Sequence, residues 1–215
     1  MGYKKVCDKS LQSVADAIRE RGGTSEELVF PDGYVEAVGA IPDKMHEYLN
    51  GTLTEVYDAD YNGKKTYAFT ELTSLKSVDF PNATTVGYMS FSGCSALENV
   101  NMPKLTTIPE RSFLRATKLA KMDCPLVESI GEHAFNSCAL HTLILRKTDA
   151  ICTLANTNAL LNTAIAGGTG YIYVPSALIN TYMAATNWST YANQFRAIED
   201  YPDITGVSFD KEVSV

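Results

Sequence analysis

The residues whose types and spacing come nearest to a metal site are Asp58, Asp60 and Asn62, which open a loop of the DxDxNG type. A calcium loop of this type needs a carboxylate that binds the ion through both oxygens at its twelfth position. Phe69 stands at that position. We therefore interpret the stretch as a polar turn and expect neither a metal nor a cofactor. A calcium-dependent protein or an enzyme built on these three residues is the least favoured alternative.

The histidines are too dispersed to suggest an active site. His46, His133 and His141 lie far apart in the repeat described below, and His133 comes just before a repeated Ala-Phe pair, where a solvated or capping role fits. The chain has no Gly-x-Ser-x-Gly elbow, no HExxH helix and no GxGxxG turn after a strand. The sequence thus predicts a protein without catalytic activity.

An internal repeat must position any functional side chain in this chain. Phe69, Phe91, Phe113 and Phe135 stand 22 residues apart. The columns that keep step with them are Leu75, Leu97 and Leu119; Val78, Val100, Met122 and Leu143; Phe80, Met102, Cys124 and Leu145; Pro81, Pro103 and Pro125; and Val86, Ile108, Ile130 and Ile151. Alternation of apolar and polar residues predicts one short strand in each unit, and the proline after it ends the strand pairing.

The Ala-Phe-x-x-Cys or Ser-Phe-x-x-Cys segment that follows the strand is interpreted as free of a helix breaker and predicts a short helical turn. One unit cannot bury its apolar side alone, whereas stacked units share a continuous core. The predicted fold class is therefore an α/β solenoid of 22-residue units, with short parallel strands on one face and short helical turns on the other.

The five cysteines, Cys7, Cys94, Cys124, Cys138 and Cys152, have no CxxC spacing. Cys94 and Cys138 occupy the same column two repeats apart, so at about 4.8 Å per strand they should lie roughly 10 Å apart. A disulfide requires about 7 Å or less between Cα atoms. We expect both to be free, buried thiols, and we expect no zinc site.

The composition excludes two classes of partner. A net charge of −7 and a pI near 5.0, without a run of Lys or Arg, argue against nucleic acid. No run of 18 apolar residues is available for membrane insertion. No apolar secretory signal follows Met1. The chain is therefore expected to stay in the cytoplasm, to have lost a signal, or to leave by another route, such as in a virion released by lysis.

The stretch Glu128–Cys138 has the form Ile-Gly…Ala-Phe-x-x-Cys. With the columns above, it resembles the leucine-rich repeats of the BspA type found in bacterial surface proteins. The resemblance covers roughly residues 47 to 151. It implies adhesion or recognition by the surface of a solenoid, without catalysis, at a bacterial cell surface or outside the cell.

A second resemblance lies near the N-terminus. Residues 10–21 predict a helix, and Ala15–Gly23 together with Phe30–Tyr34 resembles a segment of tail and minor structural proteins of phages and prophages. It implies a virion-associated protein, while a helical cap or linker unrelated to virions is the alternative.

The predicted domains are an N-terminal helical and extended segment over residues 1–43, a capped solenoid over 44–203, and a linker over 204–215. The last piece resembles the first strand of a bacterial immunoglobulin-like domain. Within the solenoid, Leu154–Ala166 predicts a longer helix. Another helix is expected from Ser176, with Leu178, Ile179, Tyr182 and Met183 facing inward, followed by an aromatic lid over the open core made by Trp188, Tyr191 and Phe195.

The residues that alternate with the core positions of each strand should point outward. We call this side, which we expect to be concave, the strand face. Its candidate binding residues are Glu55, Tyr57, Ser77, Asp79, Asn99, Asn101, Lys121, Asp123, Thr142, Tyr171 and Tyr173, with Ile144 in the same layer. Such polar groups suit a protein or carbohydrate partner on a cell surface, and tyrosine is a common interface anchor. They could equally be the solvated side of a sheet.

We therefore predict a non-catalytic recognition protein that binds a protein or glycan through its strand face. The N-terminal resemblance favours a phage or prophage protein for host attachment. The alternative is a bacterial cell-surface adhesin of the BspA type.

Overall fold

The computed structural model describes residues 68–206 and the backbone of Glu55–Tyr57. These residues belong to Thr52–Val215, one of the two units into which the chain divides. The expected N-terminal segment over residues 1–43, the loop at Asp58 and the stretch after Gly206 lie outside the described residues.

The described residues contain short strands that all pair in parallel. They are β1 (Glu55–Tyr57), β2 (Ser77–Asp79), β3 (Asn99–Asn101), β4 (Thr107–Ile108), β5 (Lys121–Cys124), β6 (Ser129–Ile130), β7 (Thr142–Leu145), β8 (Thr153–Leu154), β9 (Tyr171–Val174) and β10 (Phe195–Ala197). Their sheets have the orders β1-β2-β3, β5-β7-β9-β10 and β4-β6-β8. Parallel strands in sequence order are the arrangement expected of a solenoid-like repeat fold.

The phenylalanine column forms the centre of the core, as the sequence predicted. Phe69, Phe91, Phe113 and Phe135 are buried, and their rings stack at centroid distances of 5.3, 5.4 and 5.5 Å. The leucine column at Leu75, Leu97 and Leu119 is fully buried beside it. Identical side chains at identical positions in adjacent repeats thus meet face to face.

The layer opposite the strands consists of hydrogen-bonded turns, where the sequence led us to expect short helical turns. The last residue of each turn adopts a left-handed conformation, at Glu71, Gly93, Arg115 and Ser137. The backbone N–H of that residue points to the next repeat; the Gly93 N–H donates to the Leu114 carbonyl at 2.7 Å. These bonds join the repeats on the side away from the strands, and they replace the bonds that a continuous helix would make within itself.

The regular spacing changes after Leu145. Ile130 pairs with Leu154, so the column resumes at Leu154, whereas we had assigned Ile151 to it. The longer helix expected over Leu154–Ala166 is also wrong. The Ala155 N–H donates to the Ile130 carbonyl, which keeps the chain extended there, and a short 3₁₀ helix, Thr157–Leu160, follows.

The C-terminal part closes the end of the core with aromatic side chains. A 3₁₀ turn, Ser176–Leu178, leads into α1 (Ile179–Ala184), and a 3₁₀ segment, Trp188–Gln194, precedes β10. Tyr182 and Trp188 are buried and hold the backbone of Cys152: the Cys152 N–H donates to the Tyr182 hydroxyl, and the Trp188 indole N–H donates to the Cys152 carbonyl. Met183 is 38% exposed and does not face inward as expected, since α1 buries only Tyr182.

Candidate functional site

The described strands place the predicted binding residues in two parallel rows. Register pairing aligns Ser77 with Asn99, and Asp79 with Asn101, across β2 and β3. It likewise aligns Lys121, Thr142 and Tyr171 across β5, β7 and β9. The backbones of Glu55 and Tyr57 extend the rows through β1. The sequence therefore identified correctly which residues share one layer, but the rows are not uniformly open to solvent.

The C-terminal segment of the described chain covers part of the strand face. A 3₁₀ turn (Ile198–Asp200) and α2 (Pro202–Thr205) follow β10, and Ile198 and Tyr201 form a second apolar cluster with Ile144 and Tyr173. The rings of Tyr173 and Tyr201 meet edge to face at 5.4 Å. Tyr173 is only 3% exposed, so its assignment as a binding residue is wrong. Burial also raises the pKa of the Tyr173 hydroxyl.

Two basic side chains hold this segment by its last carbonyls. The Lys121 ammonium donates to the Ile204 carbonyl at 2.7 Å. The Arg146 guanidinium donates to the Thr205 carbonyl and makes two further bonds to the Asp123 carboxylate. Cations at the end of a helix satisfy carbonyls that have no partner within it. The bond to Asp123 raises the pKa of Arg146. Lys121 and Asp123, which we expected to face a partner, therefore hold the chain itself.

Tyr171, another candidate residue, also contacts a side chain of the chain itself. Its ring is 36% exposed, and the guanidinium carbon of Arg196 lies 4.2 Å from the ring centroid. This distance is typical of a cation–π contact. Thr142 is half-buried. The part of the strand face over β7 and β9 thus offers little free surface.

The strand face is open where β3 approaches β5. Pairing joins β2 to β3 and β5 to β7, but no pairing joins β3 to β5 among the described strands. Val100 on β3 is half-buried, whereas Val78 and Met122 in the same column are each 1% exposed. We call this interruption the open step.

A groove of about 430 Å³ lies over the open step. It is lined by Ser77, Val78, Asp79, Glu98, Asn99, Val100, Asn101, Lys121 and Asp123. Binding pockets of proteins begin at roughly 300 Å³. Six of the predicted binding residues therefore lie around one groove. The regular repeat pattern did not predict this groove.

The groove is predominantly acidic and polar. Asp79, Glu98 and Asp123 contribute carboxylates, and Lys121 contributes one ammonium. Lys118 lies 3.3 Å from Glu98, and Arg146 pairs with Asp123. Asp79 accepts a hydrogen bond from the Asn101 side-chain amide at 2.7 Å, and no cation pairs with it among the described residues. Asp79 thus differs from Glu98 and Asp123, each of which lies beside a cation.

The thiols lie inside the core, as predicted for Cys94 and Cys138. Both are free and buried, and each thiol donates to a carbonyl of an adjacent turn, that of Phe69 or Phe113. Burial raises the pKa of each of these two thiols to about 12. At neutral pH they are protonated, and neutral thiols are poor nucleophiles and poor metal ligands.

Within residues 68–206, no group of three or more His, Cys, Asp and Glu side chains could hold a metal ion. The half-buried side chain of His133 lies between Glu132, at 3.4 Å, and the side-chain amide of Asn136, at 2.9 Å. None of the helices in the described part has the length and apolar character needed to cross a bilayer.

Sequence reasoning missed Arg146 and the covering segment, although two signals were present. Arg146 stands where the earlier repeats place Pro81, Pro103 and Pro125. Unlike proline it has an N–H, which donates to the Cys124 carbonyl at 3.3 Å and extends the strand pairing by one step. The second signal was the apolar Ile144 in an outward row, which indicates that another part of the chain covers it.

Comparison with protein families finds one match. Residues 63–161, slightly less than half of the chain, match the BspA type leucine-rich repeat region in six copies. No functionally curated protein matches the chain.

Several solved structures are similar to the chain. A leucine-rich repeat protein of T. pallidum has 22% identity and a TM-score of 0.43, and the match covers 57% of this chain and 52% of that one. The pneumococcal vaccine antigen PcpA has 15% identity and a TM-score of 0.49, with 67% and 41% covered. A leucine-rich cell surface protein from Faecalibacterium prausnitzii has 17% identity and a TM-score of 0.39, with 67% and 43% covered. The chain thus spans about half of these structures or less.

The match to the repeat region coincides with the part of the chain in which the stacked phenylalanines, the buried leucine column and the parallel strands lie. Sequence pattern and geometry therefore support a BspA-like leucine-rich repeat protein.

Proposed function

We propose that the chain is a non-catalytic recognition protein that binds a partner protein through the open part of the strand face. The observation that carries this proposal is the groove at the open step, where polar side chains of three strands converge beside a half-buried valine. Groups that donate and accept hydrogen bonds around an apolar floor are typical of recognition surfaces. The match to a BspA type repeat region supports a binding or adhesin type of protein.

A protein partner is favoured over a glycan by the composition of the groove. None of the residues that line it is aromatic, and Tyr173, the ring expected to flank it, is buried. The groove therefore offers amides and carboxylates for hydrogen bonding but no ring on which a sugar could stack. A glycan remains the other outcome of the screen described below.

The setting follows from the two resemblances in the sequence. The BspA-type repeats favour a place on a bacterial cell surface or outside the cell, whereas Ala15–Gly23 together with Phe30–Tyr34 favours a virion and a role in host attachment. Genes for tail proteins beside the coding gene, together with detection of the chain in purified particles, would support the virion. Detection on intact bacterial cells without such neighbours would support the adhesin.

The binding proposal is tested by blocking the groove. The full chain is screened against arrays of purified bacterial surface proteins and of bacterial glycans, alongside the variant Asn99→Arg, which places a large side chain at the open step. Asn180→Arg is the matched control because Asn180 is exposed on α1. We expect a protein ligand that binds the wild type and the control but not Asn99→Arg, with all three chains melting at the same temperature. Equal binding by Asn99→Arg would place the interaction elsewhere, and a glycan ligand would overturn the choice of partner.

We also propose that the protein folds without calcium. Thermal melting of the full chain in about 1 mM calcium and in excess chelator should give the same midpoint, because a ligand that binds only the folded state would raise it. A rise of several degrees with calcium would restore Asp58, Asp60 and Asn62 as a metal site.

A further inference from the structure

We propose that the open step binds an extended peptide segment of the partner, with a lysine or arginine side chain of that segment seated against Asp79. The inference rests on the proposed function, to which it adds the chemistry of the partner.

The backbone at the open step has hydrogen-bonding groups that no neighbouring strand pairs with among the described strands. The Asn99 N–H donates to Lys76 and the Asn101 carbonyl accepts from Phe80, so both residues use β2 as their partner. Successive peptide groups of a strand point to opposite sides. The N–H and carbonyl of Val100 are therefore directed towards β5, where no pairing is made.

The same alternation applies to β5. The Ala120 carbonyl accepts from Thr142 and the Cys124 carbonyl accepts from Arg146, so these residues face β7. The peptide groups of Lys121 and Asp123 then face β3. Donors and acceptors from both strands are thus available to the main chain of a peptide, which presents complementary groups along its length.

The open step is confined to the strand side of the two repeats. On the opposite side of the same two repeats, the Phe91 N–H donates to the Ser112 carbonyl at 2.8 Å and the Gly93 N–H donates to Leu114 at 2.7 Å. The sheet that contains β4 also continues across these repeats, since Thr85 bridges to Thr107 on β4 and Thr107 pairs with Ser129 on β6. The repeats therefore remain joined around the groove.

The charges around the groove favour a basic side chain in the bound peptide. Lys118 and Arg146 pair with Glu98 and Asp123, and Lys121 is bonded to the Ile204 carbonyl. Asp79 is half-buried, and among the described residues only the neutral side-chain amide of Asn101 bonds to it. A cationic side chain at this position would gain a charge-assisted bond without displacing an existing ion pair.

The neighbouring surface already holds a segment of the chain by its main-chain carbonyls. Lys121 and Arg146 bind consecutive carbonyls of α2 in the covered part of the strand face, and both Lys121 and Asp123 also line the groove. The groove is therefore continuous with a surface that recognises main-chain groups.

The test uses the ¹⁵N-labelled full chain and two pools of short capped peptides that differ only at their central residue. One pool has arginine there and the other has citrulline, which has nearly the same shape but no charge. We expect the arginine pool to shift the amide signals of Val100, Lys121 and Asp123 and to bind about fivefold more weakly to Asp79→Asn. Asp149→Asn, a change of the same charge at an exposed site, should have no effect. Raising the salt from about 50 to about 300 mM should weaken the binding.

Equal shifts with arginine and citrulline, or equal binding by Asp79→Asn and the wild type, would overturn this inference. Shifts confined to other parts of the chain would do the same. A partner from the screen that is blocked by Asn99→Arg but indifferent to Asp79→Asn would overturn it while leaving the proposed function intact. Selective binding of the arginine pool would support it even if the screen yields no partner.

Discussion

Arg146, at the end of β7, donates two hydrogen bonds, of 2.7 and 2.6 Å, to the carboxylate of Asp123 on the neighbouring strand β5. Both side chains are partly shielded from water, with 23% and 37% exposed. The guanidinium also binds the Thr205 carbonyl. One side chain therefore links a strand of the repeat to the segment that covers it.

Removing the Arg146 side chain should loosen that segment. In Arg146→Ala, Asp123 and the Thr205 carbonyl lose their partner, and we expect the free energy of unfolding to fall by about 1–3 kcal/mol. Urea unfolding measures the loss, and hydrogen exchange should become faster at Tyr201, Ile204 and Thr205, whose N–H groups bond within this segment. Arg146→Lys retains the charge without the two parallel bonds and should lie between alanine and wild type. A loss of stability without faster exchange would contradict a clamping role.

The phenylalanine column should dominate the stability of the repeats. Phe113 is fully buried and stacks on Phe91 and on Phe135, at 5.4 and 5.5 Å. Phe113→Ala would leave a cavity between two repeats, and we expect a loss of about 3–5 kcal/mol in urea unfolding. Leu126→Ala is the control, since Leu126 is 45% exposed and its truncation should cost little. Comparable losses for both variants would show that the column is not the centre of the core.

Gly131 should resist substitution because the backbone of the preceding repeat lies against it. A Cβ atom at this position would be 2.5 Å from the Glu110 backbone nitrogen and 2.8 Å from the Pro109 carbonyl carbon. Relief requires a backbone shift, so Gly131→Ala should lower the free energy of unfolding by about 1–3 kcal/mol. At Gly167 the nearest atom would be 3.5 Å away, an ordinary contact, and Gly167→Ala should unfold at nearly the wild-type urea concentration. If Gly131→Ala unfolded at the wild-type urea concentration, the backbone at Pro109 and Glu110 could move away from residue 131 with little loss of free energy.

Alkaline pH should destabilise the fold through its buried thiols. Burial raises the pKa of Cys94, Cys138 and Cys152 to about 12, compared with about 8.5 in an unfolded chain. Below about pH 8.5 the thiols are protonated in both states and have no effect on the pH dependence. Between about 8.5 and about 12 the unfolded chain releases their protons first, so the free energy of unfolding falls as pH rises.

The contribution of one thiol is measured by comparing Cys94→Ala with the wild type in urea melts with a reductant present. The slope of stability against pH should become shallower by up to about 1.4 kcal/mol per pH unit. Ser95→Ala removes a neighbouring hydroxyl that does not titrate and should keep the wild-type slope. Identical slopes for all three chains would contradict proton release from Cys94.

The column residues of the sequence determine most of the fold. Phe69 to Phe135, Leu75 to Leu119 and the strand residues around Val78 and Met122 lie in the core, because a residue type repeated at a fixed interval can be buried only if successive copies stack. The same register identified the rows of the strand face. It also predicted that Cys94 and Cys138 would remain unpaired.

Three features depended on contacts between distant parts of the chain, which no local pattern contains. Ile130 pairs with Leu154 because the segment between them is longer than in earlier repeats, so counting along the sequence pointed to Ile151. Tyr173 is buried by Tyr201, which belongs to a segment outside the repeat. The open step between β3 and β5 occurs although both strands follow the repeat.

The sequence by itself determined the repeat, its core and the polarity of its strand face, since these follow from residue type and spacing. The tertiary structure decided which part of that face is accessible. Lys121 and Arg146 can bind the carbonyls of Ile204 and Thr205 only after the chain has turned back across β5 and β7, so the groove beside Asp79 is defined by folding rather than by the repeat.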